Sequence, residues 1–444
     1  MSATVLSGAS SADALAELDA QNPQIERLPN GLGVIVIELP TLHRVVIDTY
    51  LRAGSRYETA ESNGLCHFLE HMLYRGAPSH PTAQRLALAF ESLGGMLLAA
   101  TATDSGSLST SSPPENFAAA LNLYAEVFQH PVLDGIEIEK NIVLQEILEG
   151  VDEQGRVIDP DNLIRALAFP NHPLGWPITG TIAQLERFDR EMLRAHHARH
   201  YTASNAVMAI AGPVNKARVL DQVTAAFAAL PRGAPLASEP PEPATGPLFS
   251  HVKDSGSQVT LRVAFRAQGV HSEDESATEV LLRVIDDGMS TRLYRNICDD
   301  KGLCYEVSAG YEAYDDCGLF EVRAETSPER AYAVLTEIFR VAHSLSQTGP
   351  EPAELHKAQR RHHWQVREML DSPEALTSYF ALGALHRVPR SLRERHGQLA
   401  GLDCAMVAAV ATRLFRPENL SVVVVGSLSR KERTALEQLV QTFA

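Results

Sequence analysis

Cysteine is scarce: Cys66, Cys298, Cys304, Cys317 and Cys404 are the only five in 444 residues, and no two form a C-x-x-C pair. That spacing excludes a disulfide framework and a cysteine-built zinc site. Basic charge is also short. Lys and Arg total 39 against 55 Asp and Glu, a net charge of −16, which argues against nucleic acid or an anionic membrane as partner, since both select a basic face. No apolar run reaches the roughly 20 residues of a membrane helix. Residues 1–23 have neither the cationic start nor the apolar stretch of a signal peptide. The chain reads as cytoplasmic, or as periplasmic if an export signal has been removed. Disorder is excluded as well, because 45% hydrophobic and 21% charged residues is ordinary globular composition.

What is present divides once. Residues 231–247 hold six prolines, a composition that supports neither helix nor central strand and reads as an extended linker. The expected organisation is an arm over 1–23 with a weak helix from Ser11 to Leu18, a domain over 24–230, the linker over 231–247, and a second domain over 248–444. The two halves match at a single shift of 214. Val45–Ala53 aligns with Val259–Ala267, and NAVMAIAG (205–212) aligns with NLSVVVVG (419–426). Both pairs are strand-like runs bounded by turn residues, which points to a duplicated domain.

In the first half the patterning predicts strands near 32–39, 45–52, 96–103, 108–111 and 207–211, with helices starting near Asn63 and covering 117–129 and 135–151. In the second it predicts strands at 258–266, 303–311, 319–325 and 420–425, with helices at 329–345, 354–370 and 406–414. Strands and helices in clumps imply an α+β fold of two mainly antiparallel sheets, each covered by helices on one face.

His67-Phe68-Leu69-Glu70-His71 carries the chemistry. On a helix His67 and His71 are four apart, so both imidazoles leave one face within reach of a single ion. Glu70, on nearly the same face, can take a proton from a metal-activated water. This is the H-x-x-E-H order of the inverzincins; the plainer alternative is an amphipathic helix with two half-exposed histidines. A catalytic zinc needs a third protein ligand and an open position. The segment 139–146 offers Glu139 and Glu146, two turns apart on one face, one to ligate and one to orient a histidine or a water. A solvated acidic stripe is the alternative there.

The sequence resembles the pitrilysin, insulysin and mitochondrial processing peptidase family. GLCHFLEHMLYRG (64–76) looks like its zinc helix and EKNIVLQEI (139–147) like its third-ligand helix. Further similarity lies in LPNGLGVIVIELP (28–40), AGSRYE (53–58), GTIAQLERFDREMLRAHHARHYTASNAVMAIAG (180–212), STRLYRNICDDKGLCYEVSAGY (290–311) and NLSVVVVG. The resemblance implies His67, His71 and Glu146 as ligands of one Zn2+ per chain, Glu70 as general base, and Glu139 as the carboxylate behind them. The implied function is a zinc metalloendopeptidase acting on peptides or unfolded segments. It also implies that an edge strand pairs with extended substrate, here Leu97, Leu98, Ala99 and Ala100. Leu98 stands where the family has an asparagine, which removes one polar substrate contact.

In the family the oxyanion is stabilised by an arginine and a tyrosine from the other half. Tyr305 matches the tyrosine, and Cys298 stands at the arginine. Three readings compete: Arg295 substitutes, the chain is weak or inactive as a scaffold subunit, or a homologous non-zinc subunit supplies the Arg/Tyr half. The third is the expectation taken, a heterodimer in preference to a homodimer. The second half cannot host its own zinc, since His67, Glu70 and His71 map at the 214 shift onto Leu281, Val284 and Ile285. The i,i+4 pair within His196, His197 and His200 has no acid at catalytic spacing, and Cys66 points about a hundred degrees away from His67; both are expected to be structural. His362 and His363 are expected on a solvated or interface helix face.

Overall fold

A computed structural model describes residues 22–443, so the expected helix over Ser11–Leu18 lies outside the described residues. The first half supplies β1 (Ile25–Arg27), β2 (Gly33–Glu38), β3 (Val45–Leu51), β4 (Leu97–Thr101), β5 (Gly106–Ser112) and β6 (Ala206–Gly212). They form one sheet in the order β1-β2-β6-β3-β5-β4. The second half supplies β7 (Leu248–Val252), β8 (Val259–Gln268), β9 (Val307–Ala313), β10 (Cys317–Thr326) and β11 (Leu420–Val425), ordered β7-β11-β8-β10-β9. In both sheets the pairings are antiparallel except one, β2 with β6 and its counterpart β7 with β11. The repeat seen in sequence therefore extends to sheet order and strand direction, within an α+β fold.

The central strands β6 and β11 are buried at every position. Their apolar runs, interrupted only by Ser421 in β11, fit strands covered on both faces, and both faces are covered, not the one that the clumped order predicts. The second cover comes from the opposite half. Helix Pro373–Leu385 of the second half packs on β3 and β6, closing an apolar layer that includes Ile35, Ile37, Val207, Leu376 and Phe380. Helix Pro160–Ala168 of the first half packs reciprocally on β8 and β11, with Ile164, Phe169, Leu319 and Val423 in the shared layer. Neither helix is expected from sequence patterning, although each starts with a capping residue followed by proline, Asp159-Pro160 and Ser372-Pro373.

Polar contacts lock the same junction. Arg56 pairs with Asp316 at 2.7 Å, Arg165 with Glu312 at 3.1 Å and Arg262 with Asp161 at 3.0 Å. Residues 231–247 have no regular structure, as their prolines dictate. They are nonetheless pinned: Arg52 donates to the Leu236 carbonyl at 3.3 Å and Arg266 to the Glu242 carbonyl at 3.2 Å. The strand expected over 303–311 begins only at Val307, which leaves 303–306 in a loop. No helix among the described residues is long and apolar enough to cross a membrane.

Candidate metal centre

The helix Leu65–Leu73 begins at Gly64, which has φ of +95° and no side chain to cap it. Any Cβ there would lie 2.7 Å from the Thr179 carbonyl oxygen. Glu58 supplies the cap instead. Its carboxylate accepts from the backbone N–H of Gly64 at 2.9 Å and of Cys66 at 2.6 Å, and from Asn63 Nδ2 at 3.1 Å, satisfying donors that a helix start leaves orphaned. The helix sinks Leu65, Phe68, Leu69, Met72 and Leu73 into the first core. That burial turns His67 and His71 toward helix Ile136–Glu149, which packs alongside.

Glu146 on this second helix faces both imidazoles. Its Oε1 lies 3.4 Å from His67 Nε2 and its Oε2 lies 3.7 Å from His71 Nε2. The three donor atoms lie within 4.8 Å of one another. Hydrogen bonding to the two histidines holds the Glu146 carboxyl far below the usual carboxylate range, and hydrogen bonding to Glu146 raises His71. Two converging imidazole nitrogens and one carboxylate are a donor set that fits tetrahedral zinc. A solvated acidic stripe would not draw both rings onto one carboxylate.

Glu139 is buried and stands behind this set, with Oε2 3.3 Å from His71 Nδ1 and Oε1 accepting from Arg75 at 3.1 Å. Gly135, at φ +78°, opens the helix, and a Cβ there would strike the Arg75 guanidinium at 2.6 Å. Thr101, the last residue of β4, donates from Oγ1 to Glu70 Oε2 at 2.6 Å. Tyr74 accepts from the Ala99 backbone N–H at 2.6 Å. Arg75, Thr101, Tyr74 and Glu58 were not among the residues read from sequence. Tyr74 and Arg75 sit one turn after Glu70 and His71, a spacing that would have marked them.

Among the described residues β4 pairs only with β5, so apart from the Ala99 N–H held by Tyr74 its outer edge carries no strand. Leu97 is buried, Leu98 is 55% exposed, Ala99 is half-buried and Ala100 is exposed. Tyr305 is not brought to the centre. It is 94% exposed in the loop before β9 and lines, with Arg262, Arg323 and Arg330, an open pocket of about 1050 Å³ that contains none of His67, Glu70, His71 or Glu146. Cys298 packs half-buried on the second core with Sγ 3.7 Å from Cys304 Sγ. Arg295 lies within electrostatic reach of Glu354.

Among the other histidines, His362 departs from expectation. His362 is 4% exposed and faces Glu279 at 3.4 Å, so it belongs to a buried ion cluster and not to a solvated face. His196 and His200 converge on Cys66, and all three are buried. Burial pushes His200 down to about 4 and holds His196 well below its ordinary value, so both rings are neutral at physiological pH.

Residues 33–182 match the family described as Insulinase (Peptidase family M16), and residues 187–361 match the Peptidase M16 inactive domain. An uncharacterized zinc protease of Rickettsia bellii is 28% identical over 417 residues, 91% of this chain and 98% of that protein. Another from Rickettsia felis is 30% identical over 325 residues, 72% of this chain and 77% of that protein. A solved peptidase M16 inactive domain from Pseudomonas fluorescens shares the fold, with a TM-score of 0.85 at 22% identity over 91% of this chain and 98% of that one. With half-chain sheets of matching order and a centre built where the family match falls, the chain belongs to peptidase family M16, in its short, two-domain bacterial type.

Proposed function

We propose that the chain is the zinc-bearing subunit of a metalloendopeptidase, with His67, His71 and Glu146 holding one Zn2+ and Glu70 acting as general base. The observation that carries this reading is the convergence of the three donor atoms within 4.8 Å, with Glu70 on the same helix. Zinc bound there supplies Lewis acidity, lowering the pKa of water and polarising a scissile carbonyl. Glu70 takes the proton of the attacking water at the carboxylate oxygen that Thr101 leaves free, and returns it to the leaving amine nitrogen. Glu139, held by Arg75, orients His71 and fixes its tautomer. The open edge of β4 pairs with extended peptide through main-chain hydrogen bonds, which favours unfolded segments over a particular side-chain sequence.

Oxyanion stabilisation needs donors beyond the zinc half. Tyr305 lies exposed on the second half and Cys298 carries no charge, so a homologous non-zinc subunit supplies the arginine and tyrosine in a heterodimer. The inward packing of Cys298 also favours a second reading, a non-catalytic scaffold subunit. Zinc content and cleavage of a quenched peptide separate the two. In the enzyme, Glu146→Gln loses one zinc equivalent and Glu70→Gln keeps the zinc but loses cleavage; a wild-type chain that binds no zinc and cuts nothing is a scaffold. Mixing with a homologue carrying Arg and Tyr at positions 298 and 305 should raise cleavage, whereas full activity of the purified homodimer overturns the need for a partner.

A further inference from the structure

The helix Leu65–Leu73 has a second polar face. Cys66 points away from the zinc ligands, toward helix Arg190–His200, and its Sγ lies 3.1 Å from His196 Nε2. The rings of His196 and His200 stack with centroids 4.0 Å apart. One donor atom from each of Cys66, His196 and His200 lies within 4.8 Å of the other two.

His200 decides what this cluster is for. Its Nδ1 lies 3.1 Å from the Arg52 carbonyl oxygen. A carbonyl can only accept, so Nδ1 carries the hydrogen and Nε2 is left with a bare lone pair. That Nε2 is buried without a protein partner in a residue only 1% exposed. Leaving that acceptor unsatisfied costs about 1–3 kcal/mol, which a bound metal ion would recover. A carbonyl on one ring nitrogen and a free lone pair on the other is how proteins prepare a metal-binding histidine. In front lies a cavity of about 10 Å³, lined by Cys66, His196 and His200 together with Glu70 and Tyr201.

We propose that Cys66, His196 and His200 form a second metal site, distinct from the His67–His71–Glu146 centre. One thiol and two neutral imidazoles select a borderline-to-soft ion, Zn2+ or Cu+, over Mg2+ or Ca2+, which take oxygen ligands. Binding forms a metal–sulfur bond and two metal–nitrogen bonds and releases the Cys66 proton to solvent.

Cobalt substitution of the full chain tests this under reducing conditions. A thiolate ligand gives cobalt a near-ultraviolet sulfur-to-metal charge-transfer band that a His/His/Glu site cannot produce. The band is expected in the wild type and in Glu146→Gln, and it disappears in Cys66→Ser and in His200→Gln. Zn2+ titration should show one equivalent lost in Cys66→Ser and a different one lost in Glu146→Gln. Failure of the first centre alone would leave the band intact, so the two readings fail separately. A wild-type chain without the band overturns the site with no variant needed. A band that survives Cys66→Ser assigns the thiolate elsewhere, such as Cys298 or Cys304, and overturns it too.

Discussion

The two halves share strand order, strand direction and helix placement, yet among the described residues only the first brings three or more potential metal ligands together. Helix Leu65–Leu73 packs beside Ile136–Glu149, and helix Glu275–Ile285 packs in the same way beside Pro352–Met369. At the 214 shift the positions of His67, Glu70 and His71 hold Leu281, Val284 and Ile285, exposed 0%, 3% and 2%. Glu146 corresponds to Arg360 and Glu139 to Ala353. Side chains that would converge on an ion in one half fill the core in the other. The scaffold therefore does not depend on the chemistry, and the chemistry rests on a few positions that the scaffold holds still.

The comparison breaks most visibly at Glu70. Glu70→Gln should lower kcat/KM for a quenched peptide by about 10²–10⁴-fold while metal content stays constant. A mutant that loses zinc, or that keeps full activity, removes Glu70 from its role. At the matched helix of the inert half, Leu281→Ala should leave metal content unchanged and cost about 2–5 kcal/mol of stability in urea. A loss under 1 kcal/mol would mean that this helix is not the packing counterpart described.

A third contrast lies at the junction with the exchanged helices. Asp48 on β3 is buried beside Thr377 and Glu374, and burial pushes its carboxyl up from 3.8 to about 7. Its counterpart at the 214 shift, Arg262, makes an ion pair with Asp161 at 3.0 Å. Because the folded chain holds the Asp48 proton more tightly than the unfolded one, the stability this group contributes is full below about pH 4 and declines as pH rises through 7. Its loss is on the order of 1–4 kcal/mol. Asp48→Asn should flatten the fall in urea midpoint between pH 5 and pH 8, and an unchanged slope would show that the carboxyl is ionised throughout. Smallest in effect, Glu139→Gln should weaken zinc binding about 10–100-fold in a chelator competition, with little change in thermal stability. Undiminished affinity would mean that Arg75 and the helix hold His71 unaided.

Sequence patterning located β3, β6, β8 and β11 because their apolar runs are local, and it located the H-x-x-E-H helix because four-residue spacing is a property of one turn. The approach of Glu146 to that helix was implied by resemblance, since sequence spacing alone does not bring two helices together. Other features escaped because their reasons are distant. Thr101 matters through the register of β4 beside the helix, and Arg75, although its place one turn after His71 is local, matters through the glycine that opens a helix sixty residues later. Cys66 and His200 meet only because two helices cross. Sequence alone puts His362 on a solvated or interface helix face because two histidines beside two arginines look hydrophilic, whereas Glu279 on the neighbouring helix draws it inside.

The exchange of helices between halves has a consequence in time. A ribosome releases the strands of the first sheet long before residues 373–385 exist. Among the described residues, the face of that sheet including Ile35, Ile37, Val207 and Ala211 shares its apolar layer with Leu376, Phe380 and Leu385 of the second half. The packing of the first sheet is therefore completed only once most of the second half has been made. Completion of the chain, not of the domain, is the event that closes the first sheet.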